Sequence, residues 1–379
     1  AATSTDTRRT CGGHISQCIQ SHIVKPRAGF KWARKQLQLP STLACIASDK
    51  GVEPGCWEVH TFSSRRQSAA CVVRDRSSAE ASAPVVVKPG ASFDEVASTL
   101  AARGLVPDAL RLRLYARWRA LADRIQPGEY AITPELSAAE LLARMSRGEV
   151  IQYPFTIIEG WTFRTLWQAV QGHPAITATL APDTTEEEIM RAIGRPGVPA
   201  EGRFLPETYH FPRGTRDIDV LRRANRALER ELKAVWAERA DGLPLESPEE
   251  ALILASIIEK ETGAAGERRR IAGVFTRRLE RGMRLQTDPT VIYGLGEAFD
   301  GDLRREHLRR DTPWNTYTRH GLPPTPIALP GRAALRAAVD PAPGDALYFV
   351  SRGDGSHQFS ATLEAHNAAV RRYQLGQED

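Results

Sequence analysis

The 379-residue chain is long enough for two or three domains with a sizeable core, and its 41% hydrophobic and 26% charged content is that of a globular protein. With 51 Lys and Arg against 46 Asp and Glu, the net charge is only +5, and the arginines are spread among acids rather than gathered in blocks, which argues against a nucleic-acid binder. No run of 18 apolar residues offers a transmembrane helix, no apolar signal segment opens the chain, and the five cysteines, all at or before Cys71, form neither a C-x-x-C pair nor an even disulfide set.

Residues 1–84 are rich in Ser, Thr, Arg and Cys and carry no sustained period, so they read as disordered or as a mis-assigned start, with a small folded domain as the alternative. Order is expected from Val85. A Val85-Val86-Val87 strand is followed by a helix capped by Ser92 and a second from Asp108 with Leu112, Tyr115, Ala116 and Leu121 inward. A strand over 128–133 and a helix capped by Ser137 complete a β-α-α-β-α unit spanning residues 85–150. The remaining chain, 151–376, reads as a mixed, helix-rich domain, so the fold class expected is α+β.

Within that second region, IQYPFTII at 151–158 is a strand ended by Glu159-Gly160. Helices follow after Thr162, over 185–193 and over about 219–240, and the aromatic, proline-containing stretch 201–213 reads as an ordered loop or short strand. The stretch SPEEALILASIIEKETG, 247–263, has both helix ends marked: Ser247 as cap, Pro248 at the first position, Glu250 placed for a capping box and Gly263 as stop. Ala251 to Ile258 is apolar on every side, so this helix should be buried. Further helices are expected over 266–281, from Asp288, and from Gly331 to Val339; residues 300–330 should be irregular, a hairpin is expected around Gly353-Asp354-Gly355, and a last helix over 362–373.

The buried helix ends abruptly in Glu259, Lys260 and Glu261. Apolar surroundings and the negative end of the helix dipole both disfavour an ionised carboxylate there, which is what a general acid requires. Glu259 and Glu261 lie about 200° apart round the helix, so they do not form a pair on one face. Three polar-aromatic segments, 201–213, 284–290 and 311–324, combine carboxylate, amide or hydroxyl groups with Tyr, Trp or Phe, the mixture that carbohydrate recognition uses. They supply the candidate cleft residues Glu207, Tyr209, Gln286, Asp288, Asn315 and Tyr317, with Glu261 added from the helix. The histidines lack metal-ligand spacing, and Ser256 and Ser360 lack a nucleophile-elbow context.

The strings ILASIIEKET, IAGVFTRRLERGMRLQTDPTVIYGLG and WNTYTRHGLPPTPIALPG, together with EGRFLPETYHF and YFVSRGDGSHQFSATLEAHN, closely resemble the YceG-like (MltG) family of endolytic murein transglycosylases, in the family's order over residues 85–375. The resemblance implies a LysM-like module over 85–150 and a YceG-like catalytic domain over 151–376, acting without metal or cofactor. It implies peptidoglycan glycan strands as substrate, cleaved between MurNAc and GlcNAc to leave a 1,6-anhydroMurNAc end, and peptidoglycan synthases as a class of partner. It further implies Glu259, the first acid of EKET, as the catalytic residue, and a location at the periplasmic face of the inner membrane. Family members carry an N-terminal membrane helix, which this sequence does not display. A hydrolytic muramidase, with Glu207 or Asp288 as its second carboxylate, and a non-catalytic peptidoglycan-binding scaffold stay open as alternatives.

Overall fold

Side-chain caps set most of the helix starts. Ser92, Asp108, Ser137, Thr162, Thr185 and Thr362 each accept a bond from a backbone N–H in the first turn of the helix they precede, satisfying donors that have no intrahelical partner. The computed structural model describes residues 83–375 apart from 134 and 262, so the expectation for residues 1–84 lies, except at 83 and 84, outside the described residues.

The first part of the described chain runs β1 (Val85–Val87), α1 (Phe93–Ala102), α2 (Ala109–Trp118), β2 (Gly128–Tyr130) and α3 (Ala138–Arg147). β1 and β2 pair antiparallel, Val85 opposite Tyr130. Leu121 falls beyond the end of α2, against the sequence expectation, because Ala120 turns the chain with a positive φ of 52°. Val85, Val96, Leu100, Leu112, Ala116, Tyr130, Leu142 and Met145 form one buried cluster.

The second part begins with β3 (Tyr153–Thr156) and α4 (Phe163–Gln171), then β4 (Ile176–Thr177), α5 (Glu186–Ala192), β5 (Thr208–Phe211), β6 (Thr215–Arg216) and α6 (Asp217–Ala237). β3 pairs antiparallel with β5, so part of the 201–213 stretch is strand, and β4 pairs parallel with β6 over two residues. Then come α7 (Pro248–Glu261), α8 (Arg268–Glu280), α9 (Asp288–Leu295), α10 (Arg305–Arg309) and α11 (Arg332–Val339). The antiparallel hairpin β7 (Tyr348–Ser351) and β8 (His357–Ser360) and the helix α12 (Leu363–Gln374) close the chain. The architecture is α+β and helix-rich, with every sheet among the described residues two-stranded.

α7 is the axis of the second hydrophobic cluster. Its residues Ala251 to Ile258 are all buried, enclosed by side chains of α4, α6, α8 and α11 such as Leu166, Leu221, Phe275 and Leu335. A helix apolar all round is stable only when sheathed in this way. Its start differs in one detail from a capping box: Ser247 Oγ accepts from Glu250 N–H, while the Glu250 carboxylate accepts from Glu246 N–H rather than from Ser247.

Candidate active site

The chain segment 327–331 runs beside α7 and is pinned to it twice. Ser256 Oγ, buried in the helix, accepts from Ile327 N–H at 3.0 Å, and one turn further on Glu259 Oε2 accepts from Gly331 N–H at 2.9 Å. The same segment is tied to the turn after β3, where Gly160 N–H donates to the Leu329 carbonyl and Leu329 N–H to that of Trp161. This brings Glu159 against Gly331. A Cβ at 331 would collide with the Glu159 carboxylate as it now lies, while the φ of −77° is ordinary for any residue.

Arg268, the first residue of α8, completes the group. Its guanidinium is 3.4 Å from Glu259 Oε1 and 3.9 Å from Glu159 Oε2, and it is itself largely buried. The Glu259 side chain is only 5% exposed. Burial pushes its carboxyl above the usual carboxylate range. The Gly331 N–H bond and Arg268 work against that shift and the Glu159 charge adds to it. The site therefore holds a buried carboxyl raised above its ordinary pKa, beside an exposed carboxylate, an arginine and a directed backbone N–H. Lys260, between the two acids, reaches the Glu159-Gly160 turn, its Nζ 3.4 Å from the Gly160 carbonyl.

Glu261 faces a different set of residues. Its carboxylate accepts from Thr287 Oγ1, and burial, reinforced by the Asp288 charge, pushes its pKa up to about 7. The 284–290 and 311–324 segments meet here: Gln286 N–H donates to the Thr316 carbonyl, Thr287 N–H to Thr316 Oγ1, and Tyr317 OH to Asp288 Oδ1 at 2.6 Å. Gln286 is exposed and held at φ 51°, unusual for a non-glycine residue. Glu261, Gln286, Asp288 and Tyr317 are thus gathered into one cluster. Glu207 is paired with Arg332 at 3.3 Å, one residue beyond Gly331.

Two sequence candidates face inward instead. Tyr209 is buried in the second cluster and donates its hydroxyl to the Leu205 carbonyl at 2.8 Å. Asn315 is fully buried, its amide donating to the carbonyls of His307, Leu308 and Arg310 and its oxygen accepting from Tyr317 N–H. Both hold loops in shape. Sequence reasoning passed over Glu159, Arg268 and Gly331; the Glu-Gly turn after a strand was the one signal it offered. It also passed over Glu201, which is buried, accepts from Phe163 N–H at the start of α4, and is pushed up to about 7 by burial.

A family model described as the YceG-like family matches residues 85–372. The endolytic murein transglycosylase of Bacillus subtilis (strain 168) is 27% identical over 306 residues, covering 76% of this chain and 83% of that protein. The endolytic murein transglycosylase of Streptococcus pneumoniae serotype 2 is 27% identical over 322 residues, and the chain spans 58% of its length. A crystal structure of a yceG-like protein from Listeria monocytogenes is 26% identical, with a TM-score of 0.48 over 76% of this chain and 98% of that one. The match over 85–372 takes in every described element from β1 nearly to the end of α12, and the chain belongs to the YceG-like family.

Proposed function

We propose that this protein is a lytic transglycosylase of peptidoglycan, cutting glycan strands endolytically between MurNAc and GlcNAc with Glu259 as acid and then base. The observation that carries the reading is Glu259 itself: a nearly buried carboxyl at the end of an apolar helix, raised in pKa, with Oε2 held by Gly331 N–H. Oε2 accepts from Gly331 N–H at 2.9 Å and Oε1 only from Arg268 at 3.4 Å, so the more loosely held Oε1 is the oxygen assigned the proton in this reading. In the first step that proton passes to the glycosidic oxygen as the C1–O bond breaks. In the second, the Glu259 carboxylate, stabilised by Gly331 N–H and Arg268, takes the proton from the C6 hydroxyl as that oxygen bonds to C1. The product is a 1,6-anhydro sugar and no water is consumed. One group changes role, so one placed carboxyl suffices. The names of the Bacillus and Streptococcus relatives support the same activity.

Gln286, Asp288, Tyr317 and Glu207 are proposed to line the glycan cleft. Residues 85–150, with their own hydrophobic cluster and β-α-α-β-α order, are proposed as a LysM-like glycan-binding module ahead of a catalytic domain over 151–376. The reading puts the enzyme with nascent strands and their synthases at the periplasmic face of the inner membrane. No helix among the described residues is long and apolar enough to cross a membrane, so they contribute no anchor of that kind.

A second reading is favoured by Glu159. A carboxylate sharing Gly331 and Arg268 with Glu259 could serve a hydrolytic muramidase as its second carboxylate. Mass spectrometry of muropeptides separates the readings. Wild-type protein is expected to release 1,6-anhydro ends and Glu259→Gln protein essentially none. Products heavier by one water favour the muramidase. Near-wild-type release by Glu259→Gln removes Glu259 from the chemistry, and binding without a change in glycan length favours a non-catalytic scaffold.

A further inference from the structure

The outward face of α2 is the least ordinary surface among the described residues. Its inner face, Leu112 and Ala116, is buried in the first hydrophobic cluster. Diametrically opposite, Leu110, Leu114 and Trp118 stand 58%, 59% and 77% exposed. Four-residue spacing advances only about 40° round a helix, so the three side chains form one ridge along its outermost edge. Scattered exposed apolar residues need no explanation, but an aligned Leu-Leu-Trp ridge does.

The charged residues carried by α2 itself are all arginines. Arg111 and Arg117 fall on its two flanks, and both are exposed. Arg119 follows the helix and places its guanidinium 5.7 Å from the Trp118 ring centre, while Tyr115 packs beside the same ring at 6.2 Å. α2 contains no Asp or Glu. Nearby acids are engaged at its edges: Asp108 caps the helix and lies 3.9 Å from Arg111, and Asp94 on α1 pairs with Arg113, turning that arginine away from the ridge. Asp123, in the turn after the helix, is also exposed, and Arg124 adjoins it.

We propose that α2 is an interfacial helix that seats this face of the protein on a lipid bilayer carrying anionic headgroups. The ten-residue helix is about 15 Å long, too short to span and long enough to lie in the plane of the surface. An apolar ridge with an aromatic residue at one end and arginines on both flanks is the arrangement such helices use: the leucines and the indole enter the headgroup boundary while the guanidinium groups stay at phosphate level. A convex ridge with cations on either side fits a flat, fluid, negative surface better than a protein groove, which would have to supply acidic walls on both sides at once.

Co-sedimentation of the full chain with phosphatidylglycerol-containing vesicles tests this, with phosphatidylcholine vesicles as control. Wild-type protein is expected to bind the anionic vesicles, less so as salt is raised. Leu114→Ser with Trp118→Ser should abolish binding while the protein stays folded by circular dichroism, since both side chains stand more than half exposed. Arg111→Gln with Arg117→Gln, which keeps the ridge, should weaken anionic binding about thirty-fold, about 1 kcal/mol per arginine, and erase the preference over phosphatidylcholine. Absence of wild-type binding at low salt, or equal binding by both double variants, overturns the proposal. So does a concentration-dependent dimer in sedimentation velocity that the Leu114→Ser, Trp118→Ser protein loses, which would make the ridge a self-association surface.

Discussion

Gly331→Ala is the sharpest probe of the site, because the structure separates its steric effect from its electrostatic one. The added Cβ would lie 1.9 Å from Glu159 Oε1, 2.4 Å from its Cδ and 2.9 Å from its Cγ, so the Glu159 carboxylate must move. It is the far end of a side chain 47% exposed and can swing into solvent. The backbone at 331, with φ −77° and ψ 170°, accepts alanine and keeps its N–H on Glu259. The stability cost is therefore the loss of a half-exposed ion pair, at most about 1 kcal/mol, or a few degrees of melting temperature. The effect on Glu259 is larger. Removing Glu159 takes away a neighbouring negative charge and leaves Arg268 to face Glu259 alone, and both changes lower the Glu259 pKa. Each unit of lowering costs about tenfold in the protonated fraction on the basic side of the profile. Turnover of purified glycan strands, followed as anhydro product across pH, should fall for Gly331→Ala on the basic limb and recover towards acid pH. A uniform loss at every pH would refute the electrostatic account. So would an additive effect of Gly331→Ala in a Glu159→Ala background, where the colliding side chain is already gone.

Glu201 and Glu261 both carry folded-state pKa values of about 7 against an ordinary 4.5, so each favours the folded protein most below pH 4.5 and loses that contribution as pH rises to 7. Glu201→Gln, which keeps a carbonyl acceptor for Phe163 N–H, should roughly halve the fall in melting temperature over that window, from a ceiling on the order of 3 kcal/mol per group; an unchanged slope would remove Glu201 from the account. Asn315→Ala should cost about 2–4 kcal/mol in denaturant unfolding, because three backbone carbonyls and one N–H lose a buried partner. A large fall in kcat/KM at unchanged stability would instead return Asn315 to the cleft.

Helices with marked ends were legible in the sequence, since caps such as Ser92, Ser137 and Thr185 act within one turn and need no tertiary information. The continuous apolar run of α7 was legible for the same kind of reason: no amphipathic packing could bury it, so other elements had to surround it. The β4–β6 pair and α10 were not, because two strand residues or five helical ones are shorter than any readable period. Site residues divided along the same line. Glu259 was visible because its own helix explains its unusual setting. Glu159 and Arg268 were not, since nothing local requires an exposed turn glutamate or one arginine among the three that open α8; their meaning depends on Gly331 arriving from a distant loop. Tyr209 and Asn315 show the converse, side chains singled out for a cleft that the structure buries against backbone groups. Polar-aromatic composition marks a loop that needs internal hydrogen bonds as readily as one that meets a sugar, and only the direction of the side chain distinguishes them.

That direction also explains why α7 can end in two acids without forming a two-carboxylate centre. Both sit at the negative end of the helix dipole and both are raised in pKa, yet their partners differ in kind. Glu261 is met by a hydroxyl from Thr287, whose loop is bonded in turn to Thr316 and Tyr317, so its carboxyl links the two cleft loops to the helix. Glu259 is met by a guanidinium and by a backbone N–H that does not depend on it for its own place: Gly331 is fixed by the Ser256–Ile327 and Trp161–Leu329 bonds further along the segment. A group that must give up a proton and take one back needs surroundings that stay put in both states. On the mechanism proposed above, Glu261→Gln should loosen the 284–290 and 311–324 loops, whereas Glu259→Gln should leave the 327–331 segment in place and stop the chemistry.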